Sequence, residues 1–260
     1  MSKHYCDGKL VDIVSRNTIG GQELRGRSFL PDPGIQTSFG NFHSLEFNTG
    51  FYDQCNRWAS NMDWWFYYNS PYSDGTLDTD WYGEVGVKAC HRITSAHNRA
   101  RGFDLCQIRF SNGWLMDSNW SPTRGDGSLH VRRYLGVAAN LRRYFGTVLT
   151  AWYNNDHRDH IHFDDLTSVQ KIRTNTRSDT TLVQAAAKHL NGESLSIDGD
   201  WGPVTGAAYT RLISKFGLTC YSPTSNTTDG KRFLYMVIRH AIANKPAGTY
   251  KYSSRVCGPS

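Results

Sequence analysis

The sequence predicts an α+β fold followed by a small all-helical domain, and three features of its 260 residues carry this prediction. First, apolar Ile161 and Phe163 alternate with the polar residues from His160 to Asp164, which is the period-2 pattern of a strand with one apolar face. Second, apolar residues recur at helical spacing in residues 128–145 and again after residue 180. Third, a chain of this length is long for one compact core and comfortable for two domains.

The same patterns set the expected boundaries. The first domain spans residues 1–166, with an N-terminal extension over 1–80 and a core over 81–166 that carries the chemically active side chains. Residues 1–80 match no motif and are expected to pack on that core. Residues 167–179 are polar and lack a sustained apolar pattern, which indicates a linker. The helical domain then spans 180–260.

Aromatic residues are concentrated between Trp58 and Tyr68, where Trp64, Trp65 and Phe66 are consecutive. Such a run more often belongs to a core than to a ligand platform. Stacking against a sugar ring is the alternative.

Three of the ten histidines, His157, His160 and His162, fall within six residues. On the predicted strand, His160 and His162 point to the same side with Cα atoms about 6.6 Å apart. That spacing suits one imidazole binding a metal while the other hydrogen-bonds a water on it. His157 precedes the strand, where Asn154 and its neighbours predict a turn, and it could approach the same site.

A second pair of metal-type residues, His97 and Asp104, lies about fifty residues earlier. An imidazole and a carboxylate suit Zn²⁺, and a third ligand from the later strand would leave the fourth tetrahedral position open, as catalytic zinc sites require. Zinc would lower the pKa of a bound water to about 7. The alternatives are a salt bridge from Asp104 to Arg99 or Arg101 and a solvated polar loop over 156–165.

The combined pattern resembles known zinc peptidases. Ser95-x-His97 with Asp104 is similar to the first zinc motif of the D-alanyl-D-alanine carboxypeptidase, lysostaphin and hedgehog-like metallopeptidases. The ending His157-x-x-His160-x-His162 resembles the second motif of the penicillin-insensitive murein endopeptidases. Residues 87–165 also resemble the extensin-like C-terminal family, through features such as Cys90-His91-Arg92 and Phe145-Gly146-Thr147-Val148-Leu149.

This resemblance implies a fold with a small antiparallel sheet and flanking helices, and it implies a role for each residue. His97, Asp104 and His162 would bind zinc, and His160 would act as the general base. His157 would stabilise the tetrahedral intermediate or protonate the leaving amine. The chain departs from the family pattern at two small residues, because Ala100 stands where the family usually has Gly, and Gly102 stands where it has Ala.

Other polar residues near these motifs are candidates for supporting roles. Asp159, Asp164 and Asp165 are close enough in sequence to orient the histidines through hydrogen bonds. Arg92 could bind a substrate carboxylate in a bidentate manner, or it could be a surface arginine beside a strand.

The C-terminal third contains helix, Asp-Gly-x-Trp-Gly-Pro-x-Thr, helix. Helices are expected over 181–190, from Pro203 onwards, and over 233–243 after a turn at Asp229-Gly230. The motif resembles the small helical peptidoglycan-binding domain found beside many wall hydrolases, and it makes Asp198 and Trp201 candidate substrate-binding residues. The alternative is an ordinary helical hairpin with Trp201 in its core.

The formal charge of +6 and the isoelectric point near 9.0 predict affinity for polyanions. Arg132, Arg133, Arg142 and Arg143 lie in residues 128–145 without any acid, which favours an amphipathic helix with a basic exposed face. Nucleic acid, teichoic acid and the carboxylates of wall peptides would all be attracted. No motif singles out nucleic acid, so we expect no nucleic-acid partner.

Six separated cysteines are compatible with up to three disulfides in an oxidising compartment, and fifteen pairings are possible. Residues 1–10 lack the apolar core of a signal peptide, and we expect no membrane span. Synthesis in the cytoplasm with delivery to the wall or periplasm would fit, either as a phage endolysin released through a holin or as an antibacterial effector injected by a secretion apparatus. A chain trimmed of its signal peptide would also fit.

The sequence therefore predicts a zinc-dependent peptidoglycan hydrolase that cleaves an amide of the stem peptide or cross-bridge. Endopeptidase activity is favoured over carboxypeptidase activity, and an immunity protein is a possible partner. A non-catalytic zinc or wall-binding protein is the alternative from another class. A muramidase or amidase that uses carboxylates is the third.

Overall fold

The computed structural model describes residues 2–4, 10–28, 38–42, 44–69, 79–87, 95–111, 115–118, 122, 128–169 and 171–252, and within them the fold is mixed α and β, in agreement with the predicted α+β class. The strands are β1 (Ser2–His4), β2 (Leu10–Arg16), β3 (Thr18–Ile19), β4 (Gln22–Ser28), β5 (Ser38–Phe42), β6 (Leu45–Asn48), β7 (Thr79–Gly86), β8 (Gly102–Phe110), β9 (Leu115–Asp117), β10 (Thr147–Leu149) and β11 (Ile161–Asp164). The helices are α1 (Thr49–Asn69), α2 (Leu129–Tyr144), α3 (Arg177–Asn191), α4 (Pro203–Phe216) and α5 (Thr227–Ile242).

The described part of the chain forms two sheets. The larger has eight strands, in the order β10-β11-β8-β7-β4-β3, with β5 paired to β4 and β9 paired to β8. The smaller has the order β1-β2-β6. The larger sheet exceeds the small antiparallel one that we expected, and it is mixed because β4 and β7 are parallel. The difference arises because the N-terminal residues, which matched no motif, add strands to it.

Helix α1 brings the aromatic run into the core. Phe51 packs on Phe163 of β11, with ring centroids 6.1 Å apart, and Trp58 packs on the same ring at 5.6 Å. Trp58, Trp65 and Phe66 are buried, whereas Trp64 is 48% and Tyr68 63% exposed. The core interpretation therefore holds for most of this run, and it ties the N-terminal segment to the strand that carries His162.

Helix α2 is present as predicted, but the prediction that its arginines form a basic exposed face is wrong. Arg133 and Arg142 are fully buried, because α2 packs against α1, α3 and α5 as well as against β9 and β10. The Arg142 guanidinium forms a bidentate ion pair with Asp179 of α3, at 2.8 and 3.0 Å. A buried guanidinium requires such a partner, since an unpaired charge in a core is strongly unfavourable.

The C-terminal helices lie close to their predicted positions. Helix α3 contains the expected 181–190 segment, and α4 begins at Pro203. The turn predicted at Asp229-Gly230 is wrong, because both residues lie in the first turn of α5, where the Asn226 side chain caps the Asp229 amide. Gly230 is needed there for contact rather than for turning, since a Cβ atom would lie 3.1 Å from the Cα of Lys171.

One hydrophobic core runs through the segments that we assigned to two domains. Helix α2 packs on α5 and α3, and the segment predicted as a linker contains the buried Ile172 and the start of α3. Arg173 also donates to the buried Asp179 carboxylate and to the Gly146 carbonyl. The division into two domains stays a prediction, and the residues assigned to the two domains are in close contact.

Two predictions concerned disulfides and membrane spans. Among the described cysteines, Cys220 is disulfide-bonded, whereas Cys55 and Cys106 are buried thiols. In the part of the chain that the structure describes, no helix is long and apolar enough to cross a membrane.

Candidate metal centre

Strands β8 and β11 bring the two predicted metal motifs together. They pair antiparallel, with Asp104 directly opposite His162, so both side chains extend from the same face of the sheet. The Nδ1 atom of His162 lies 2.8 Å from Oδ1 of Asp104. The Nε2 atom of His97 lies 3.2 Å from that nitrogen and 3.3 Å from that oxygen. One ligand atom from each of the three residues lies within 4.8 Å of the others, so this group could hold a metal ion.

His97 reaches the group from a short 3-10 turn, His97–Arg99, that precedes β8. The turn ends at Ala100, which adopts a left-handed conformation with φ of +53° and donates its amide hydrogen to the His97 carbonyl. Non-glycine residues rarely adopt this conformation. Ala100 therefore ends the short turn in a conformation that glycine would adopt more easily.

Gly102 makes room for the two imidazoles. A Cβ atom at this position would lie 3.0 Å from Cβ of Ala96, 3.1 Å from Cε1 of His162 and 3.3 Å from Cε1 of His97. These distances are shorter than ordinary van der Waals contacts, so a side chain here would press on both rings.

Hydrogen bonds on the far side of each ring orient the two histidines. Nδ1 of His97 donates to the Val87 carbonyl at 3.0 Å, so its Nε2 atom faces Asp104 and His162. Nε2 of His162 lies 3.2 Å from Oδ2 of Asp164, so its Nδ1 faces the group. Metal-binding histidines commonly donate their second nitrogen to a carboxylate or carbonyl in this way. Of the three predicted supporting aspartates, Asp164 has this role.

The other two predicted supporting aspartates have different partners. Asp159 accepts a hydrogen bond from Nδ1 of His160 at 2.9 Å, whereas Asp165 pairs with Arg101 at 2.8 Å. Arg101 therefore bonds Asp165, and the alternative in which it pairs with Asp104 does not occur.

The carboxylate and imidazoles of the group strongly influence one another. Burial alone would raise the pKa of Asp104, but hydrogen bonds from His162 and His97 and their charges hold it well below its usual range. Burial alone would lower the pKa of His162, but Asp104 and Asp164 raise it to about 9. A metal ion would have to displace the proton from the His162 nitrogen that faces the group. The two carboxylates that favour the protonated imidazole would also favour a metal cation.

His160 lies beside the group rather than inside it. Its Nε2 atom is 3.7 Å from Oδ1 of Asp104, and its Nδ1 atom is fixed by Asp159. The side chains of His160 and His162 therefore approach the same oxygen of Asp104, although β11 begins one residue after His160. The free Nε2 atom can act on a molecule bound at the group.

His157 completes the histidine cluster. Its ring centroid lies 5.1 Å from that of His160 and 6.1 Å from that of His162. Its Nδ1 atom donates to Oδ1 of Asn154 at 2.5 Å. Burial and the two neighbouring imidazoles lower its pKa to about 4, so the ring is neutral near pH 7 with Nε2 as an acceptor.

The loop that carries His157 is held by helices α2 and α3. Tyr134 of α2 accepts a hydrogen bond from the Ala151 amide at 2.9 Å. Arg177 at the start of α3 donates to the Tyr153 carbonyl at 2.6 Å, and the Tyr153 ring contacts His157 at 5.6 Å. The C-terminal helices therefore support one edge of the candidate site.

Glu84 is a buried carboxyl group that we did not predict from the sequence. It lies on β7, opposite Leu105 of β8. Gly86, two residues further along β7, lies opposite Asp104. Burial and then the charge of Asp104 raise its pKa to about 7. No motif marks it, because a single Glu in a strand-like segment carries no spacing signal.

The predicted substrate-binding residues lie apart from the metal group or outside the described residues. Oδ1 of Asp198 accepts hydrogen bonds from Nε2 of Gln184 at 2.7 Å and from the Asp200 amide at 2.9 Å. Trp201 is partly buried against Tyr209, at 5.4 Å. Both residues therefore help to shape their own turn, and their substrate contacts stay a prediction. Arg92 lies outside the described residues.

Comparison with known proteins supports part of the predicted resemblance. Residues 86–174 match the family described as Extensin-like protein C-terminus. The matched range contains all three metal-group residues as well as His157 and His160, but it covers less than half of the chain. Comparison with curated proteins gives no match, and comparison with solved structures gives none.

Proposed function

We propose that this chain is a zinc-dependent peptidoglycan hydrolase that cleaves an amide bond in the stem peptide or cross-bridge and acts at the cell wall or in the periplasm. The observation that carries the proposal is the convergence of His97, Asp104 and His162, with His160 beside them. The match to the extensin-like family over the same residues supports it.

The donor set fits zinc. Two imidazole nitrogens and one carboxylate oxygen are typical zinc ligands, whereas Ca²⁺ and Mg²⁺ prefer sites made of oxygen alone. Three protein ligands leave one coordination position for solvent or substrate. When bound, zinc would polarise a substrate carbonyl and make a water molecule more acidic.

His160 would act as the general base. Asp159 holds its Nδ1 atom, which leaves Nε2 directed towards the group at 3.7 Å from Asp104. A positioned imidazole can take a proton from attacking water and return it to the departing amine.

His157 would act later in the reaction. Because Nδ1 donates to Asn154, Nε2 must gain a proton before it can stabilise an oxyanion or protonate an amine. Negative charge that develops on the substrate would favour this protonation, and it would oppose the effect of burial on the pKa.

The preference for endopeptidase activity rests on the three-histidine ending. A carboxypeptidase would also need a cation for the terminal carboxylate of its substrate, and Arg92 is the residue we propose for that alternative.

Muropeptide analysis by mass spectrometry tests the proposal. Walls of several types would be digested with the zinc-loaded protein, with and without chelator, and with His160→Ala as the control. We expect new peptide termini that depend on zinc and on His160. Unchanged muropeptides on every wall would refute the proposal.

Other results would favour the alternatives. If the unaltered protein and His160→Ala both bind the wall and neither lyses it, a non-catalytic zinc or wall-binding protein would be favoured. Lysis that is insensitive to chelator would favour a muramidase or amidase that uses carboxylates.

A further inference from the structure

A basic groove of about 620 Å³ lies where the last turn of α2, one face of α5 and the segment after it meet. Lys231, Arg232 and Arg239 line it from α5, where Arg239 lies about two turns after Arg232, on the same side of the helix, and Lys231 precedes Arg232 directly. Arg143 comes from α2 and Lys251 from the C-terminal segment. Five cationic side chains from three parts of the chain therefore face one cavity.

Most of this charge is not neutralised by the described part of the chain. Arg232 pairs with Asp229 at 2.5 Å. For Arg143, Lys231, Arg239 and Lys251, no carboxylate among the described residues lies within ion-pair distance. Cations clustered without acids create a positive potential that an anion would relieve.

Arg143 shows this need most clearly. Its Nε atom is buried, and no acceptor among the described residues bonds it. Its guanidinium lies over the ring of Tyr235, 5.9 Å from the centroid, which orients it without neutralising it. The guanidinium therefore keeps its positive charge beside the groove that it lines, and an anion bound there would offset that charge.

The groove continues beyond these residues. An adjoining cavity of about 390 Å³ shares Arg143 and Lys231 with it and adds Arg57 of α1. Six cations thus follow an extended path rather than surround one point. This arrangement suits a linear ligand with repeated negative charges better than a single phosphate ion.

The tyrosines of the groove argue against nucleic acid. Tyr235 is contacted by Arg143, by Trp65 at 5.0 Å and by Tyr252 at 6.1 Å. Tyr252 is contacted in turn by Arg232 and by Tyr221. Proteins that bind single-stranded nucleic acid stack the bases on exposed aromatic rings, whereas these two rings already contact other side chains.

We propose that this groove binds a linear polymer of small polyols joined by phosphodiester groups, with one negative charge per repeat. The proposal does not depend on the metal centre, because none of the metal-group residues lines the groove. It assigns the excess positive charge to a groove that shares only Arg143 with the α2 face where the sequence placed it.

Calorimetric titration of the full chain with poly(glycerol phosphate) at about 50 mM salt tests the proposal. The groove variant is Lys231→Gln with Lys251→Gln, and the matched control is Lys215→Gln with Lys245→Gln. All four lysines are exposed, and the control pair lies outside the groove. We expect the groove variant to bind at least about fivefold more weakly and to lose part of the salt dependence, with the control unchanged.

Four outcomes would overturn the proposal. Equal losses in both variants would mean that net charge alone attracts the polymer, and no binding by the unaltered chain would remove the site. Tighter binding to oligothymidylate or to phosphatidylglycerol vesicles would replace the polyol phosphate with nucleic acid or membrane lipid. Binding of inorganic phosphate with the same affinity would contradict an extended ligand.

Discussion

Gly102 and the side chains around it decide whether His97, Asp104 and His162 can share one ion. The sequence identified these three residues because their types and spacing match a metal pattern. It could not identify Glu84, since its relation to Asp104 depends on the pairing of β7 with β8. Nor could the sequence indicate that the Val87 carbonyl fixes the His97 ring. The sequence was thus enough to predict which three residues converge, whereas their supporting contacts required the fold.

Gly102→Ala should weaken metal binding about tenfold or more, because its Cβ atom would press on the His97 and His162 rings. Zinc titration against a competing chelator measures the effect. Gly206→Ala is the control, since the nearest atom to its Cβ would be 4.0 Å away. Equal zinc affinity in both variants would contradict the close packing that we describe.

His160→Ala should retain zinc and lose about 10²-fold to 10⁴-fold in the rate of wall hydrolysis, because it would remove a base but no ligand. Zinc content and hydrolysis rate would be measured on the same preparation. Loss of zinc along with activity would show instead that His160 is a ligand.

At the scale of single elements, β11 was predictable and the surroundings of α2 were not. Alternation from His160 to Asp164 was enough to predict a strand with its histidines on one side. The arginines of α2 suggested an exposed face, because sequence alone cannot show that α3 and α5 cover it. Asp179, the buried partner of Arg142, lies 37 residues away in sequence.

Asp179→Ala should lower the free energy of unfolding by about 3–5 kcal/mol, because it leaves Arg142 buried without its partner. Urea denaturation measures this change. Arg211→Ala is the control, since it breaks an exposed pair with Glu193 and should have little effect. Similar midpoints for the two variants would refute the structural role of Asp179.

The same ion pair predicts that the free energy of unfolding decreases at acid pH. Burial alone would raise the pKa of Asp179, but Arg142 and Arg173 hold it below its usual range. The pair therefore stabilises the fold above the unfolded pKa of about 3.9, and this stabilisation is lost as the pH falls through the folded value. The difference in unfolding free energy between the unaltered chain and Asp179→Asn should shrink below about pH 4. A constant difference from pH 7 to pH 3 would contradict this.

For the whole molecule, composition and length predicted two domains, whereas the structure has a core that crosses the predicted boundary. The sequence did not reveal this, because contacts such as α2 with α5 join segments about a hundred residues apart. The loop that carries His157 also depends on α3, because Arg177 donates to the Tyr153 carbonyl.

Because the core is shared, the chain should unfold in one cooperative transition. Far-ultraviolet circular dichroism and tryptophan fluorescence should give coincident urea curves. Two separated transitions would show that residues 180–260 fold independently.

We expect His97, Asp104 and His162 to hold one zinc ion between them. Metal analysis of the purified chain after zinc loading and gel filtration tests it most directly, with His162→Ala as the comparison. We predict about one zinc per chain, and loss of most of it in the variant. Full retention of zinc by His162→Ala, or no zinc in the unaltered chain, would contradict the account.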